Sequence, residues 1–92
     1  MADAIITLKI MPESPDIDLA ELEKKSVEVI KEITGETQYK SELEPIAFGL
    51  KAIKIIFVMD EQLGSPDKIS EKIADFEEVA SCEVTDVRRA IG

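Results

Sequence analysis

Histidine, tryptophan and asparagine are absent from this chain of 92 residues, and cysteine occurs once. Without an imidazole, Ser-His-Asp and Cys-His nucleophile pairs are excluded, together with every histidine-based metal site. One thiol cannot supply the ligands of a zinc site or form an internal disulfide, so a reducing cytoplasm is the expected compartment. Positive charge is scarce too. Eleven Lys and Arg face 20 Asp and Glu, a formal charge of -9 with a sequence pI near 4.4. Nucleic-acid binders take much of their affinity from cations that release counterions from phosphates, so direct nucleic-acid contact is not expected. Long apolar runs are missing as well. Ile55 to Met59 is the longest, far short of the roughly 20 residues that span a bilayer. The start, Met1-Ala2-Asp3-Ala4, lacks the basic head and apolar stretch of a signal peptide. No membrane partner is expected, and proteins or small molecules remain as partners.

What is present is the mixture of a soluble globule, 45% hydrophobic and 34% charged. A chain of this length is expected to form one domain, residues 1–92, burying roughly 60 to 65% of its unfolded surface. Ala4 to Met11 is rich in β-branched residues and closed by Pro12, which predicts a strand. Pro12 to Pro15 is a turn. Asp18 followed three residues later by Glu21 matches a capping box at the start of a helix. Leu19, Leu22, Ser26, Ile30 and Ile33, with Val29 beside them, form one apolar stripe, and Gly35 suits a left-handed helix end. Glu36 to Glu44 predicts a second strand with Thr37, Tyr39, Ser41 and Leu43 on one face, polar enough for a sheet edge.

Ala47 to Met59 predicts a central strand, apolar on both faces: Ile53, Ile55, Phe57 and Met59 on one, Ala52, Ile56 and Val58 on the other. Ser65 as N-cap and Pro66 as first helical residue open a short helix marked by Ile69, Ile73 and Phe76. Val79 to Val87 is the last strand. There Cys82, Val84 and Asp86 alternate with Glu83, Thr85 and Val87, leaving its core face ambiguous. The order β-α-β-β-α-β, with right-handed crossovers, predicts a ferredoxin-like α+β sandwich: a four-stranded antiparallel sheet, two helices on one face, the other face open.

Function on this fold has to come from the sites it carries. RNA recognition on the open face needs stacked aromatics and a basic surround, and only Phe48 and Phe57 lie on the central strand. Soft-metal carriage needs a second thiolate, so Cys82 is read as a small, buried or half-buried apolar residue. Asp16, Asp18, Glu21 and Glu23 crowd a helix start, where negative charge complements the amide dipoles; capping explains them better than a divalent cation. Glu28, Glu32, Lys24, Lys25 and Lys31 read as a solvated helix face. No constellation supports catalysis, and no metal or other cofactor is expected.

Two segments stand out. In Glu44-Pro45-Ile46-Ala47-Phe48-Gly49, a proline, a large aromatic and a glycine introduce the central strand. Phe48 is either a core residue or an aromatic presented at the sheet end as an interface anchor. In Thr85-Asp86-Val87-Arg88-Arg89-Ala90-Ile91-Gly92, the two arginines form either a frayed basic end or a cationic tip on an acidic molecule.

Met11-Pro12-Glu13-Ser14-Pro15-Asp16-Ile17-Asp18-Leu19, Glu44-Pro45-Ile46-Ala47-Phe48-Gly49-Leu50-Lys51 and Val84-Thr85-Asp86-Val87-Arg88-Arg89 resemble the archaeal elongation factor 1-beta family. The resemblance extends over essentially the whole chain. It implies a ferredoxin-like guanine-nucleotide exchange domain that promotes GDP release from elongation factor 1-alpha, so that GTP and then aminoacyl-tRNA bind. It also implies a cytoplasmic factor that is not an enzyme, monomeric when free. The resemblance puts Phe48 at the nucleotide-binding domain of the GTPase, with Pro45 and Gly49 beside it as partner-binding residues, and brings the chain end near its Mg²⁺ site. The eukaryotic pattern carries a lysine near that end where this chain has Gly92; either Arg88 or Arg89 replaces that cation, or other contacts do. The competing reading is a regulatory small-ligand module, since the same sandwich often dimerises around a ligand.

Overall fold

In a computed structural model of the chain, the described residues are 3–35, 39–47, 49–60, 62 and 66–90, with the side chain of Ala90 outside the description. The elements run β1 (Asp3–Pro12), α1 (Leu19–Thr34), β2 (Tyr39–Pro45), β3 (Lys51–Asp60), α2 (Asp67–Ala74) and β4 (Val79–Ala90). The strands form one four-stranded sheet in the order β2-β3-β1-β4, and every neighbouring pair is antiparallel. This is the ferredoxin-like sandwich expected from the element order. Strands of 10 to 12 residues, rising about 3.3 Å per residue, give the molecule its long axis, 42 × 21 × 18 Å overall.

The alternation in β1 decides which face carries the helices. Ala4, Ile6, Leu8 and Ile10 are buried and stand opposite Met59, Phe57, Ile55 and Ile53 of β3. Leu22, Val27, Val29 and Ile30 of α1, Ile69 and Ile73 of α2, and Val79 join them in one core cluster. Burying each such Ile, Leu or Phe contributes about 1.5 to 3 kcal/mol. Val27 is a core residue that the apolar stripe did not include, while Leu19 and Ile33 at the helix ends are only partly buried. Ser26, fully buried inside the helix, satisfies its hydroxyl by donating to the Leu22 carbonyl at 2.8 Å. Asp18 is the N-cap, accepting from the amides of Ala20 and Glu21. Gly35 ends the helix at φ 72, its N–H donating to Lys31 O at 2.8 Å.

β2 lies at the sheet edge, as its polarity predicts, with Tyr39, Ser41 and Leu43 on one face opposite Phe57, Ile55 and Ile53; Thr37 lies outside the described residues. β3 begins four residues later than expected, at Lys51, because backbone bonds join Ile46 to Leu50 and Leu50 to Ala47 before it. α2 also differs from its expected limits. Pro66 is the N-cap rather than the first helical residue, Ser65 lies outside the described residues, and the helix stops at Ala74. Phe76 follows it, its N–H donating to Ile73 O, and packs partly buried against the core.

β4 resolves the ambiguity of its own alternation. Cys82 and Val84 stand opposite Ile10 and Leu8, whereas Val87 and Arg89 stand opposite Ile6 and Ala4, so all four lie on the helix side of the sheet. Thr85 is an extra residue between the two pairs and Ala80 another nearer the strand start; each bulge shifts the alternation by one. Asp86 therefore belongs with the open face and not with Cys82 and Val84. The strand also continues to Ala90, so Arg88 and Arg89 are paired strand residues, opposite Ile5 and Ala4, and not a frayed end.

Candidate functional site

The segment that introduces β3 is a closed turn. Pro45, at the end of β2, stands opposite Lys51. Beyond it the Ile46 N–H donates to Leu50 O and the Leu50 N–H to Ala47 O, both at 2.9 Å. Gly49 has φ 78, the left-handed region in which side-chain-bearing residues are disfavoured. Ile46 is 40% exposed, and Ala47 and Gly49 are exposed with it. Phe48, read from the sequence as a core residue or an interface anchor, lies outside the described residues.

Beside the turn is a cleft of about 210 Å³ lined by Pro12, Ser14, Pro15, Leu19, Gly49 and Lys51. Its floor and walls come from three parts of the chain: the end of β1, the loop into α1 and the start of β3. The loop is tied down at both ends. Glu13 N–H donates to Glu78 O at 2.8 Å, and Ile17 N–H donates to Ser14 O at 3.3 Å. The Ser14 hydroxyl accepts from the Asp16 amide at 3.3 Å. A second cleft, about 170 Å³, continues between α1 and β2 past Leu19, Ala20, Glu23, Ser41, Glu42 and Leu43.

Arg88 and Arg89 sit at the opposite end of the sheet. Val79, where β4 begins, pairs with Pro12 beside the cleft, while Arg89 pairs with Ala4. The eight residue steps along β1 from Ala4 to Pro12 put the two groups about 26 Å apart. The structure therefore brings Pro45 and Gly49 together, and Arg88 and Arg89 together, but separates one pair from the other. Arg88 Nε donates to Asp86 Oδ2 at 2.8 Å on the open face, with both side chains well exposed.

The open face has an ordered charge pattern. Glu42, Lys54, Lys9 and Glu83 form one cross-strand row, and Ile5, Thr7, Ile56 and Val58 fill the rows beside it. Phe57 points to the core, so no described aromatic offers this face as a stacking surface for bases. Among the described residues, no group of three or more Cys, Asp or Glu side chains is placed to hold a metal ion. None of the helices is long and apolar enough to cross a membrane, among the described residues. Asp18 is engaged as a helix cap, and Glu23 accepts a hydrogen bond from the Ser41 hydroxyl. Cys82 is half-buried, and burial, with the neighbouring Glu83 charge second, pushes its thiol up to about 12. It is a packing residue, and a poor nucleophile.

Sequence reasoning missed Lys51 and the cleft it lines. The signal was present as a lysine next to the Pro45–Gly49 segment, but only the approach of Pro12, Pro15 and Leu19 turns it into a cavity wall.

These features describe a small ferredoxin-like domain with no reactive constellation of its own among the described residues, an exposed turn and cleft at one end of the sheet and two arginines at the other. Comparison with known proteins gives the class. The sequence model of the EF-1 guanine nucleotide exchange domain matches residues 5–90. The protein named elongation factor 1-beta from Methanothermobacter thermautotrophicus is 44% identical over 89 residues, covering 97% of this chain and 98% of that one. Its namesake from Methanobrevibacter smithii is likewise 44% identical over 89 residues. That from Pyrococcus horikoshii is 45% identical over 83 residues, 89% of each chain. The chain belongs to the archaeal elongation factor 1-beta family of guanine-nucleotide exchange domains. Among solved structures, BlrP1 BLUF superposes with a TM-score of 0.57 at 12% identity, over 100% of this chain and 57% of that one, a likeness of fold alone.

Proposed function

We propose that this chain, as a single exchange domain spanning residues 1–92, promotes release of GDP from elongation factor 1-alpha and its replacement by GTP during protein synthesis. The observation that carries this reading is the family match over residues 5–90. Exchange of this kind needs no acid, base or cofactor on the factor, which makes and breaks no covalent bond. A protein that binds the nucleotide-free GTPase more tightly than the GDP form weakens GDP binding by the same ratio, because coupling between two binding equilibria is reciprocal. In this reading the factor works as a monomer in the cytoplasm, without contacting nucleic acid.

The geometry supports a division of labour. Phe48, with Pro45 and Gly49, contacts the GTPase at one end of the sheet, and Arg88 and Arg89 contact it at the other. A rigid sheet gripping two patches about 26 Å apart favours one arrangement of those patches, which is how a body with no chemistry of its own selects the nucleotide-free state. Stopped-flow release of a fluorescent GDP analogue tests the proposal. Acceleration is expected at micromolar factor; an unchanged release rate rejects the function. A Phe48→Ala protein that stays folded and exchanges at the full rate removes that residue from the mechanism.

A further inference from the structure

The cleft beside Gly49 has a property that a general contact surface lacks. Its lining is mixed: Pro12, Pro15 and Leu19 are apolar, Ser14 offers a hydroxyl, and Lys51 stands as a cation at its edge. Its volume of about 210 Å³ falls below the roughly 300 to 1,000 Å³ of sites that take a whole small molecule. One large side chain suits it better than a nucleotide does. The walls are also fixed before anything binds. Two prolines restrict the backbone, the Glu13–Glu78 and Ser14–Ile17 hydrogen bonds anchor the loop, and the turn at Gly49 is closed by its own pair of backbone bonds. A cavity ordered in advance loses little entropy when filled.

Charge narrows the occupant further. On a chain of net charge -9, Lys51 is an exposed cation with no carboxylate partner among the described residues. The neighbouring cleft beyond Leu19 is flanked instead by Glu23 and Glu42. An acidic group is therefore attracted to the Lys51 end and repelled from the other, which fixes the direction in which a segment lies.

From this we infer that the cleft receives a single apolar side chain of the GTPase with a carboxylate next to it, and that Lys51 is the specificity-determining cation of this contact. The inference rests on the exchange reading and adds a receiving site to the turn proposed as its contact. Lys54 gives an internal comparison. It lies three residues along the same strand, on the opposite face, in the row between Glu42 and Lys9.

Calorimetric titration of the nucleotide-free GTPase with parent and variant factors, at two salt concentrations, tests it. Lys51→Glu is expected to weaken binding at least about tenfold and to flatten the salt dependence, while Lys54→Glu stays within about twofold of the parent. Ser14→Phe, which fills the cleft without touching the charge, is expected to weaken binding to a similar degree. Melting curves establish that each variant is folded. Should Lys51→Glu unfold, Lys51→Gln takes its place, with an expected loss of about threefold. Parent-like binding by a folded Lys51 variant or by Ser14→Phe overturns the inference, as does an equal loss in Lys54→Glu, which would mark a general charge effect. In each of those cases GDP release by the parent stays accelerated and the proposed function stands. A parent that neither binds nor accelerates release overturns both.

Discussion

Lys25 reaches from the middle of α1 to Glu78, 53 residues further along the chain, with Nζ 2.6 Å from Oε2 and 4.8 Å from the centre of the Phe76 ring. The contact ties the first helix to the segment joining α2 and β4, so Lys25 is not merely part of a solvated helix face. The Lys25 hydrogen bond, with help from the backbone, holds the Glu78 carboxyl below its ordinary value of 4.5. A carboxyl depressed in the folded state contributes stability above its unfolded pKa and loses it as pH falls through the folded value. Glu78→Gln is therefore expected to lower the melting temperature slightly at pH 7, with the gap to the parent closing as pH drops below about 4.5. A gap that persists unchanged once the carboxylate is protonated would detach the effect from the Lys25 ion pair.

The cap at Asp18 offers a cleaner stability test, because its carboxylate serves two amides, Ala20 and Glu21, and nothing else described. Asp18→Ala should cost about 1 kcal/mol, or about 4 to 8 °C in melting temperature for a domain of this size. Asp18→Asn, which keeps the acceptor, should recover most of it in the same calorimetric scan.

Gly35 and Gly49 share a backbone conformation, φ 72 and φ 78, and a Cβ built on either meets no atom within 4 Å. Replacing either by alanine should therefore cost only the left-handed strain, about 1 to 2 kcal/mol. The two variants should melt at similar temperatures. If the turn contacts the GTPase as proposed, only Gly49→Ala also slows nucleotide exchange, and equal rates would detach the turn from function.

Cys82 should be nearly inert in the folded protein. With its thiol raised to about 12, almost no thiolate exists at pH 8, and a thiol-specific reagent should label it orders of magnitude more slowly than after unfolding in guanidinium. Rapid labelling of the native protein would contradict the packing role.

Local signals were legible in the sequence where one element decides its own shape. The alternation Ala4, Ile6, Leu8, Ile10 placed β1, Asp18 placed the helix start, and Gly35 the helix end. The edge position of β2 followed from Tyr39, Ser41 and Leu43 in a polar setting. Less could be read where two distant segments decide together. Ala47 looked like strand until the cross-hairpin bonds of Ile46 and Leu50 closed a turn there. Arg88 looked terminal until Ile5 paired with it. The candidate site divides the same way: Pro45, Phe48 and Gly49 were visible as an unusual run, but Lys51 gains its meaning only from Pro12 and Pro15, which β1 delivers from far upstream. The separation of the turn from the arginines belongs wholly to topology.

The extra residues Ala80 and Thr85 make β4 a strand whose odd and even positions exchange sides twice. Removing Thr85 would leave Val84 and Asp86 adjacent and still opposite Leu8 and Thr7, so the strand would alternate regularly and Asp86, Arg88 and Arg89 would keep the faces they now occupy. What the extra residue at position 85 does is let Val84 and Val87, three positions apart, stand on the same side of the sheet.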